Sequence, residues 1–214
     1  MKRAFLLLVC AAAATLATPV QAGAQLAGMP VWNSPKGGTG LTIAADYGSP
    51  DSSGGSGSTY AGRVVFGLGT LTLSATVGSR KPEGAASSTT EWGGTGAFRL
   101  IGGSLIPVSV NLQGGFATYK EASVTTTRGT AALGFAIDIP TPGVSIEPWI
   151  APGLRLTHAA SQTDTQFGVA GGLTIGFGML GIHAAMDYEN LAGGGHTTTL
   201  GIGAQFSIRP PLGL

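Results

Sequence analysis

The sequence predicts an all-β protein, an antiparallel up-and-down transmembrane β-barrel of ten strands, with eight strands as the alternative. Three observations lead to this fold class: apolar and polar residues alternate with period two, most alternating segments are about ten residues long, and the connections alternate in length. Composition agrees, because 10% of the residues are charged, 43% are hydrophobic and 37 of 214 are glycine. Soluble helical proteins need more surface charge, and disordered chains need more charge and fewer apolar residues.

The N-terminus has the pattern of a secretory signal peptide over residues 1–22. Two basic residues come first, a mostly apolar run follows, and Val20-Gln21-Ala22 supplies the small residues of a cleavage site. Cleavage after Ala24 is the alternative. Residues 23–38 are then expected to form a periplasmic N-terminal leader. The mature chain has no cysteine, because Cys10 lies in the signal peptide, and disulfides are excluded.

Residues 39–208 are predicted to form the barrel, followed by a C-terminal tail over 209–214. Ten segments alternate, over about residues 39–47, 60–67, 70–80, 90–101, 105–118, 126–138, 144–157, 165–177, 179–189 and 198–208. Long polar connections alternate with short turns, which is typical of a barrel with loops outside and turns in the periplasm. An even strand count places both ends of the barrel in the periplasm.

Aromatic residues share the parity of the apolar faces and cluster near the two ends of the strands. This arrangement predicts two girdles at the membrane interfaces. The outer girdle is Tyr47, Tyr60, Trp92, Phe116, Phe167 and Tyr188, and the periplasmic girdle is Phe66, Phe98, Phe135, Phe177 and Phe206.

The segment 144–157 departs from the pattern. Trp149 has the inward parity, and Pro148 and Pro152 flank it without a backbone N–H to give to the ladder. We therefore expect a bulge in this strand.

Charged residues within the strands have the opposite parity and are expected to point into the lumen, since such charges on the lipid face are costly. The predicted lumen network is Asp46, Arg63, Arg80, Glu91, Arg99, Arg128, Asp138, Glu147, Arg155, His183 and Asp187, with Glu189 on the same face. An outer layer would hold Asp46, Arg80, Glu91, Arg128, Arg155 and Asp187, a lower layer Arg99, Asp138 and Glu147, with Arg63 and His183 near the middle.

Three functions stay open at this point. The first is an integral outer-membrane barrel with a structural or interaction role and a largely occluded polar lumen. The second is a narrow channel for ions or small polar solutes, since inward glycine and alanine leave room. The third is a soluble exported barrel that binds a small ligand, because alternation alone is compatible with it.

The chain resembles the small bacterial outer-membrane β-barrel proteins over nearly all of its mature length. Its last segment, from Thr199 through Gly201 and Ala204 to Phe206, is similar to the C-terminal assembly signal of that family. The resemblance implies a location in the bacterial outer membrane, contact with outer-membrane lipid, and insertion by the barrel-assembly machinery. The additional residues after Phe206 depart from the family pattern.

No pattern of an enzyme or a cofactor protein stands out, so we expect no catalytic site, no metal and no cofactor. His183, Asp187 and Glu189 share a strand face but span too far for joint contact with one group. Nucleic-acid binding is not expected at a formal net charge of +1.

Overall fold

The computed structural model describes residues 25–31, 37–103, 106–121 and 123–208. The predicted signal peptide, the C-terminal tail and residues 23–24 and 32–36 of the expected leader lie outside the described residues. Within the described part of the chain, no helix is long and apolar enough to cross a membrane.

The barrel consists of eleven strands and one short 3-10 turn, Ser52–Gly54. The strands are β1 Gly38–Pro50, β2 Ser58–Gly69, β3 Leu71–Lys81, β4 Thr89–Gly103, β5 Ile106–Glu121, β6 Val124–Ile137, β7 Ile139–Thr141, β8 Val144–Ala159, β9 Gln162–Phe177, β10 Leu180–Asn190 and β11 His196–Ile208. Connections 51–57, 82–88 and 191–195 mark one end of the barrel, the loop end. The short connections between β5 and β6 and between β8 and β9 also lie at the loop end, although the sequence predicts long loops there. The turns that join β2 to β3, β4 to β5, β7 to β8 and β9 to β10 mark the other end, the turn end.

The strands form one closed antiparallel sheet. Each strand pairs with its neighbour in the chain, β1 pairs with β11, and both β6 and the three-residue β7 pair with β8 in one register. Because β7 continues β6 along the same edge of β8, the two count as one strand of the wall, and the barrel has ten strands. The ten-strand prediction is confirmed, and the eight-strand alternative is wrong.

The period-two sequence pattern produces two chemically different faces. In β10 every second residue from Gly181 to Glu189 is buried and the residues between are exposed. The outward positions carry large apolar side chains such as Ile182 and Met186, each about half exposed. A soluble ligand carrier would not present such a surface to water, whereas lipid is its natural solvent.

The prolines of β8 interrupt pairing without adding a residue. The register of β8 against β9 is continuous through Pro148 and Pro152. Toward β6, pairing is missing at the positions opposite Pro152 and Pro148, and the break between β6 and β7 follows directly after the second of these. The missing N–H groups therefore face β6 and β7, and the expected bulge in this strand is wrong.

An irregularity occurs in β4 instead. Its register against β5 shifts between Arg99 and Ile101 and again before Gly103. As a result, the consecutive residues Leu100 and Ile101 are both exposed. This bulge lies at the turn end, where a rim tolerates an unpaired residue.

A further segment, residues 25–31, lies inside the barrel and is here called the inner segment. All seven of its residues are buried, and its backbone is hydrogen-bonded to wall residues Thr59 and Glu91. The expectation of a periplasmic leader over residues 23–38 is thus wrong for this part. The segment is uncharged and partly apolar, and the wall offers it a partly apolar surface.

Asp51 continues the hydrogen bonding between β1 and β11 one residue beyond Pro50, the last residue of β1. Its carboxylate accepts hydrogen bonds from Thr197 Oγ1 at 2.8 Å, Thr198 N at 2.8 Å and Gly54 N at 2.9 Å. Its own N–H donates to the Thr198 carbonyl at 2.9 Å. Burial opposes ionisation, but these hydrogen bonds outweigh it and hold the pKa of Asp51 below the usual 3.8.

Asp51→Asn is expected to lower the free energy of unfolding by about 1 kcal/mol at pH 7, because the amide nitrogen that replaces one carboxylate oxygen cannot accept a hydrogen bond. Because the pKa is lowered in the folded state, the stabilisation is present above 3.8. It is lost as the pH falls through the folded-state pKa. Urea unfolding in lipid vesicles at several pH values measures this difference.

The matched control is Asp164→Asn, which neutralises an exposed carboxylate in β9. It is expected to leave the unfolding free energy unchanged. A wild-type advantage over Asp51→Asn that stayed constant down to pH 2 would contradict the role of the carboxylate charge.

Candidate functional site

The lumen holds the predicted charge network. All eleven of its residues are buried or half-buried, although they are polar. Asp46, Arg63, Glu91, Glu147, Arg155, His183 and Asp187 are the buried members. Such burial requires paired charges, and the pairs fall into separate groups.

The first group is a three-residue cluster of Asp46, Arg63 and His183, here called the Asp46 cluster. Arg63 donates from Nε to Asp46 Oδ2 at 2.9 Å and from Nη2 to Oδ1 at 3.3 Å. His183 Nε2 lies 2.7 Å from Asp46 Oδ1. A two-pronged guanidinium–carboxylate contact fixes orientation as well as charge.

Gly203 explains how side chains from three strands reach each other. Asp46 and His183 both lie opposite Gly203 of β11, one on β1 and one on β10. A Cβ atom on Gly203 would collide with both His183 Nε2 and Asp46 Oδ1. The missing side chain therefore lets the carboxylate and the imidazole meet above the glycine backbone.

Two further ion pairs lie toward the loop end. Arg155 Nη2 is 3.0 Å from Asp187 Oδ1, and both side chains are at most 1% exposed. Arg128 pairs with Glu189, a residue on the inward face that the predicted layers left out. Gly168 gives Arg155 room, because a Cβ there would lie 3.0 Å from Arg155 Cγ.

Three residues of the predicted outer layer have partners outside that layer. Asp46 joins Arg63 and His183, which are expected near the middle. Glu91 accepts a hydrogen bond from Ala27 N of the inner segment at 2.6 Å, and Arg80 donates to the carbonyl of Gly54 at 3.3 Å. Parity gave the correct face of each strand but not the partner, which depends on the curvature and stagger of the barrel.

Arg99, Asp138 and Glu147, the predicted lower layer, are half-buried or buried. They lie on β4, after β6 and on β8, toward the turn end. Their predicted grouping stays a prediction.

The inner segment completes two apolar clusters within the lumen. Leu26 and Met29 cluster with Ala61 and Ala117 of the wall. Val31 belongs to the other cluster, with the wall residues Ala132, Ala136, Trp149, Ala151, Ala170 and Ala185. These inward alanines, which could have enlarged a lumen, instead form the surface on which the segment packs.

One cavity beside the inner segment is small. It has a volume of about 30 Å³ and lies between the segment and wall residues that include Arg63, Thr76 and Ala117. That volume is about one water molecule's share of liquid water. A larger groove of about 610 Å³ is lined by outward residues such as Tyr47, Ile182 and Ile202, so it lies on the apolar exterior and not in the lumen.

The predicted girdle residues lie on the exterior, where ten of the eleven are exposed. Tyr47, the eleventh, is half-buried and packs against Tyr60 with ring centroids 5.1 Å apart. Trp149 points inward as expected, and Gly172 makes room for its indole, since a Cβ at Gly172 would lie 2.8 Å from Trp149 Cζ2.

Sequence reasoning missed the inner segment and its partner Thr59. A signal was present, because residues 25–31 carry no charge and include leucine, methionine and valine, which is unusual for a free leader in water. The residues predicted as an assembly signal, from Thr199 to Phe206, lie in β11, the strand that closes the barrel on β1.

The site offers a polar lining. Asp46 and His183 form a carboxylate–imidazole pair, and the wall position facing both is Gly203. Among the described residues, no group of three or more His, Cys, Asp or Glu side chains could hold a metal ion.

Gly203→Ala is expected to lower the free energy of unfolding by roughly 1–3 kcal/mol, the usual cost of overpacking a filled site. The added methyl group would force Asp46 and His183 apart inside the lumen. Urea unfolding in lipid vesicles, followed by tryptophan fluorescence, measures the change.

Gly62→Ala is the matched control, since a Cβ at this outward strand glycine meets nothing within 4 Å. It is expected to change the unfolding free energy by less than about 0.5 kcal/mol. Equal effects of the two substitutions would show that the Asp46 cluster does not depend on the space above Gly203.

Comparison with known proteins supports the fold. No protein-family model matches the chain, and no curated protein does. Among solved structures, the β domain of the Bordetella autotransporter BrkA matches with a TM-score of 0.55 at 12% identity, over 79% of this chain and all of that domain. The KdgM porin matches with a TM-score of 0.45 at 13% identity, over 78% and 99%. The outer-membrane enzyme PagL matches with a TM-score of 0.42 at 12% identity, over 78% and 99%.

The likeness to the BrkA domain shows the fold alone. The apolar outer face of the barrel indicates in addition that lipid surrounds it. A closed barrel with an apolar outer face and a charged interior satisfies every requirement of a lipid bilayer. The chain has the fold of the bacterial outer-membrane β-barrel proteins and is located in the outer membrane.

Proposed function

We propose that the protein is an outer-membrane barrel with a structural or interaction role, whose lumen is occluded by its own inner segment. The observation that carries this proposal is the position of residues 25–31. They are enclosed by the wall and buried, and both the backbone N–H and the carbonyl of Ala27 are bonded to wall side chains. A solute would have to displace them to pass.

Barrel size supports the same reading. Ten strands are close to the eight-stranded size whose interior is filled by side chains, and far from the 16–18 strands of open porins. Paired charges and the two apolar clusters occupy the lumen. The cavity of about 30 Å³ beside the inner segment is too small for a hydrated ion.

A narrow channel is the second candidate, and the mixed charge of the wall favours it. The Asp46 cluster and the Arg155–Asp187 and Arg128–Glu189 pairs are all contacts between wall residues. A barrel without the inner segment would keep this lining and conduct small ions, with weak selectivity because both signs are present.

An enzymatic role is not part of the proposal. The proposal rests on the inner segment and on the paired charges of the wall, whose contacts are structural. The proposed partners are outer-membrane lipid on the exterior and the barrel-assembly machinery, which would read the closing strand β11 from Thr199 to Phe206.

In planar bilayers, the mature protein is expected to give no stable single-channel steps. Replacing residues 25–31 by a glycine–serine linker of equal length is expected to give reproducible steps, because the linker cannot reproduce the apolar contacts. Gly28→Val in the full chain is a second route to the open state. A heat-modifiable gel shift confirms that each protein is a folded barrel before its conductance is measured.

The control is the same linker replacement over residues 83–88 of a connection at the loop end, which should leave the barrel silent. Stable steps in the wild-type protein would overturn the occluded lumen. Silence of both folded inner-segment variants would show that the wall closes the lumen without residues 25–31.

A further inference from the structure

Two wall side chains hold the backbone of a single residue of the inner segment. Glu91 Oε2 accepts a hydrogen bond from Ala27 N at 2.6 Å, and Thr59 Oγ1 donates to Ala27 O at 2.8 Å. Both wall residues are 0% exposed. Ala27 and Gly28 are the central residues of a β-turn that is closed by the hydrogen bond from Met29 N to Leu26 O at 3.1 Å. Because the wall bonds go to backbone atoms, they recognise this turn and not a particular side chain.

The wall around this pair is shaped for a peptide. A Cβ at Gly48 would collide with the carbonyl oxygen of Gly28 and lie 2.9 Å from Met29 Sδ. A Cβ at Gly78 would lie 2.8 Å from Leu26 Cδ1. Two wall glycines therefore provide the space that the segment fills.

The occupant needs a glycine at one position. Gly28 has a φ of 72°, a conformation that side chains with a Cβ rarely adopt. A Cβ at Gly28 would also lie 2.7 Å from Thr59 Oγ1. The site thus selects small residues at Ala27 and Gly28 while leaving the remaining positions less constrained.

The contacts also indicate that the occupant is exchangeable. Residues 25–31 carry no charge, so no ion pair ties them to the wall. The charged pairs of the wall are formed without them. In addition, Glu91 Oε1 is buried and accepts no hydrogen bond from the described residues, which leaves an acceptor for one more N–H of an occupant.

We propose that Thr59 and Glu91 form a peptide-binding site within the lumen, and that residues 25–31 are its exchangeable occupant. The ligand class is an uncharged peptide that forms a β-turn with glycine at its third position. This inference rests on the proposed occlusion of the lumen by the inner segment and names the interaction that holds the segment there.

The test uses the full mature chain, which has no cysteine of its own, with Val31→Cys as a reporter. Val31 is 2% exposed, so a water-soluble maleimide should label the reporter slowly. Thr59→Val and Glu91→Leu, which each remove one hydrogen bond to the Ala27 backbone, should accelerate labelling roughly tenfold, the factor that corresponds to about 1.4 kcal/mol for one lost hydrogen bond. Thr126→Val, which removes another buried hydroxyl of the wall and keeps the Thr59–Ala27 bond, is the matched control.

Exchange is tested by adding a synthetic peptide with the sequence of residues 23–36. Excess peptide should accelerate labelling, because it occupies the site whenever the reporter segment leaves. The same peptide carrying Gly28→Val should have no effect. Either of two results would overturn the proposal. Equal labelling rates of Thr59→Val and Thr126→Val would refute the binding site at Thr59. A labelling rate that the native peptide does not change would refute the exchange of the occupant.

This outcome is separate from the occlusion itself. A wild-type barrel that conducts while Val31→Cys stays protected would refute the occluded lumen and leave the peptide site in place. A barrel that gives no conductance, and whose reporter responds to none of the variants or peptides, would refute the peptide site and leave the occluded lumen in place.

Discussion

Pairing of β1 with β11 is the interaction on which the rest of the structure depends. A sheet in lipid cannot leave an edge of unpaired N–H and C=O groups, because hydrocarbon offers no replacement partners. The register from Leu41–Ile208 to Pro50–Thr199 removes that edge over the length of both strands, and Asp51 continues it into the loop. Once the sheet is closed, each residue has only two directions available, lipid or lumen.

Closure makes the lumen a place where space is scarce and charge is concentrated. Charges excluded from lipid must point inward, and there they must pair, since burial without a partner is costly. Glycine solves the resulting steric problem. Gly203, Gly168 and Gly172 lie beneath the Asp46 cluster, Arg155 and Trp149 respectively, so that the high glycine content of the chain provides room for polar contacts.

The sequence predicted what depends on period two and little of what depends on curvature. Strand number, strand order and the inward parity of residues such as Asp46, His183 and Trp149 follow from alternation, which a closed sheet preserves. The Asp46–His183 contact does not, because it joins two strands separated by a third and depends on Gly203 between them. The effect of Pro148 and Pro152 was also misjudged, since a proline whose missing N–H faces one neighbour can interrupt that ladder without shifting the register.

The inner segment could not be predicted from periodicity, because a peptide that fills a lumen has no partner strand to impose alternation. Its position nevertheless follows from the chemistry of the wall. Inward alanines at positions 61, 117, 132 and 170 form apolar surface within an otherwise polar lumen, and such surface is stabilised by contact with apolar side chains. The Asp46 cluster and the Arg155–Asp187 and Arg128–Glu189 pairs form within the wall, and the segment covers the apolar remainder. Stability of the barrel and closure of its lumen are therefore carried by different residues, which is the arrangement that allows an occupant to leave without unfolding the wall.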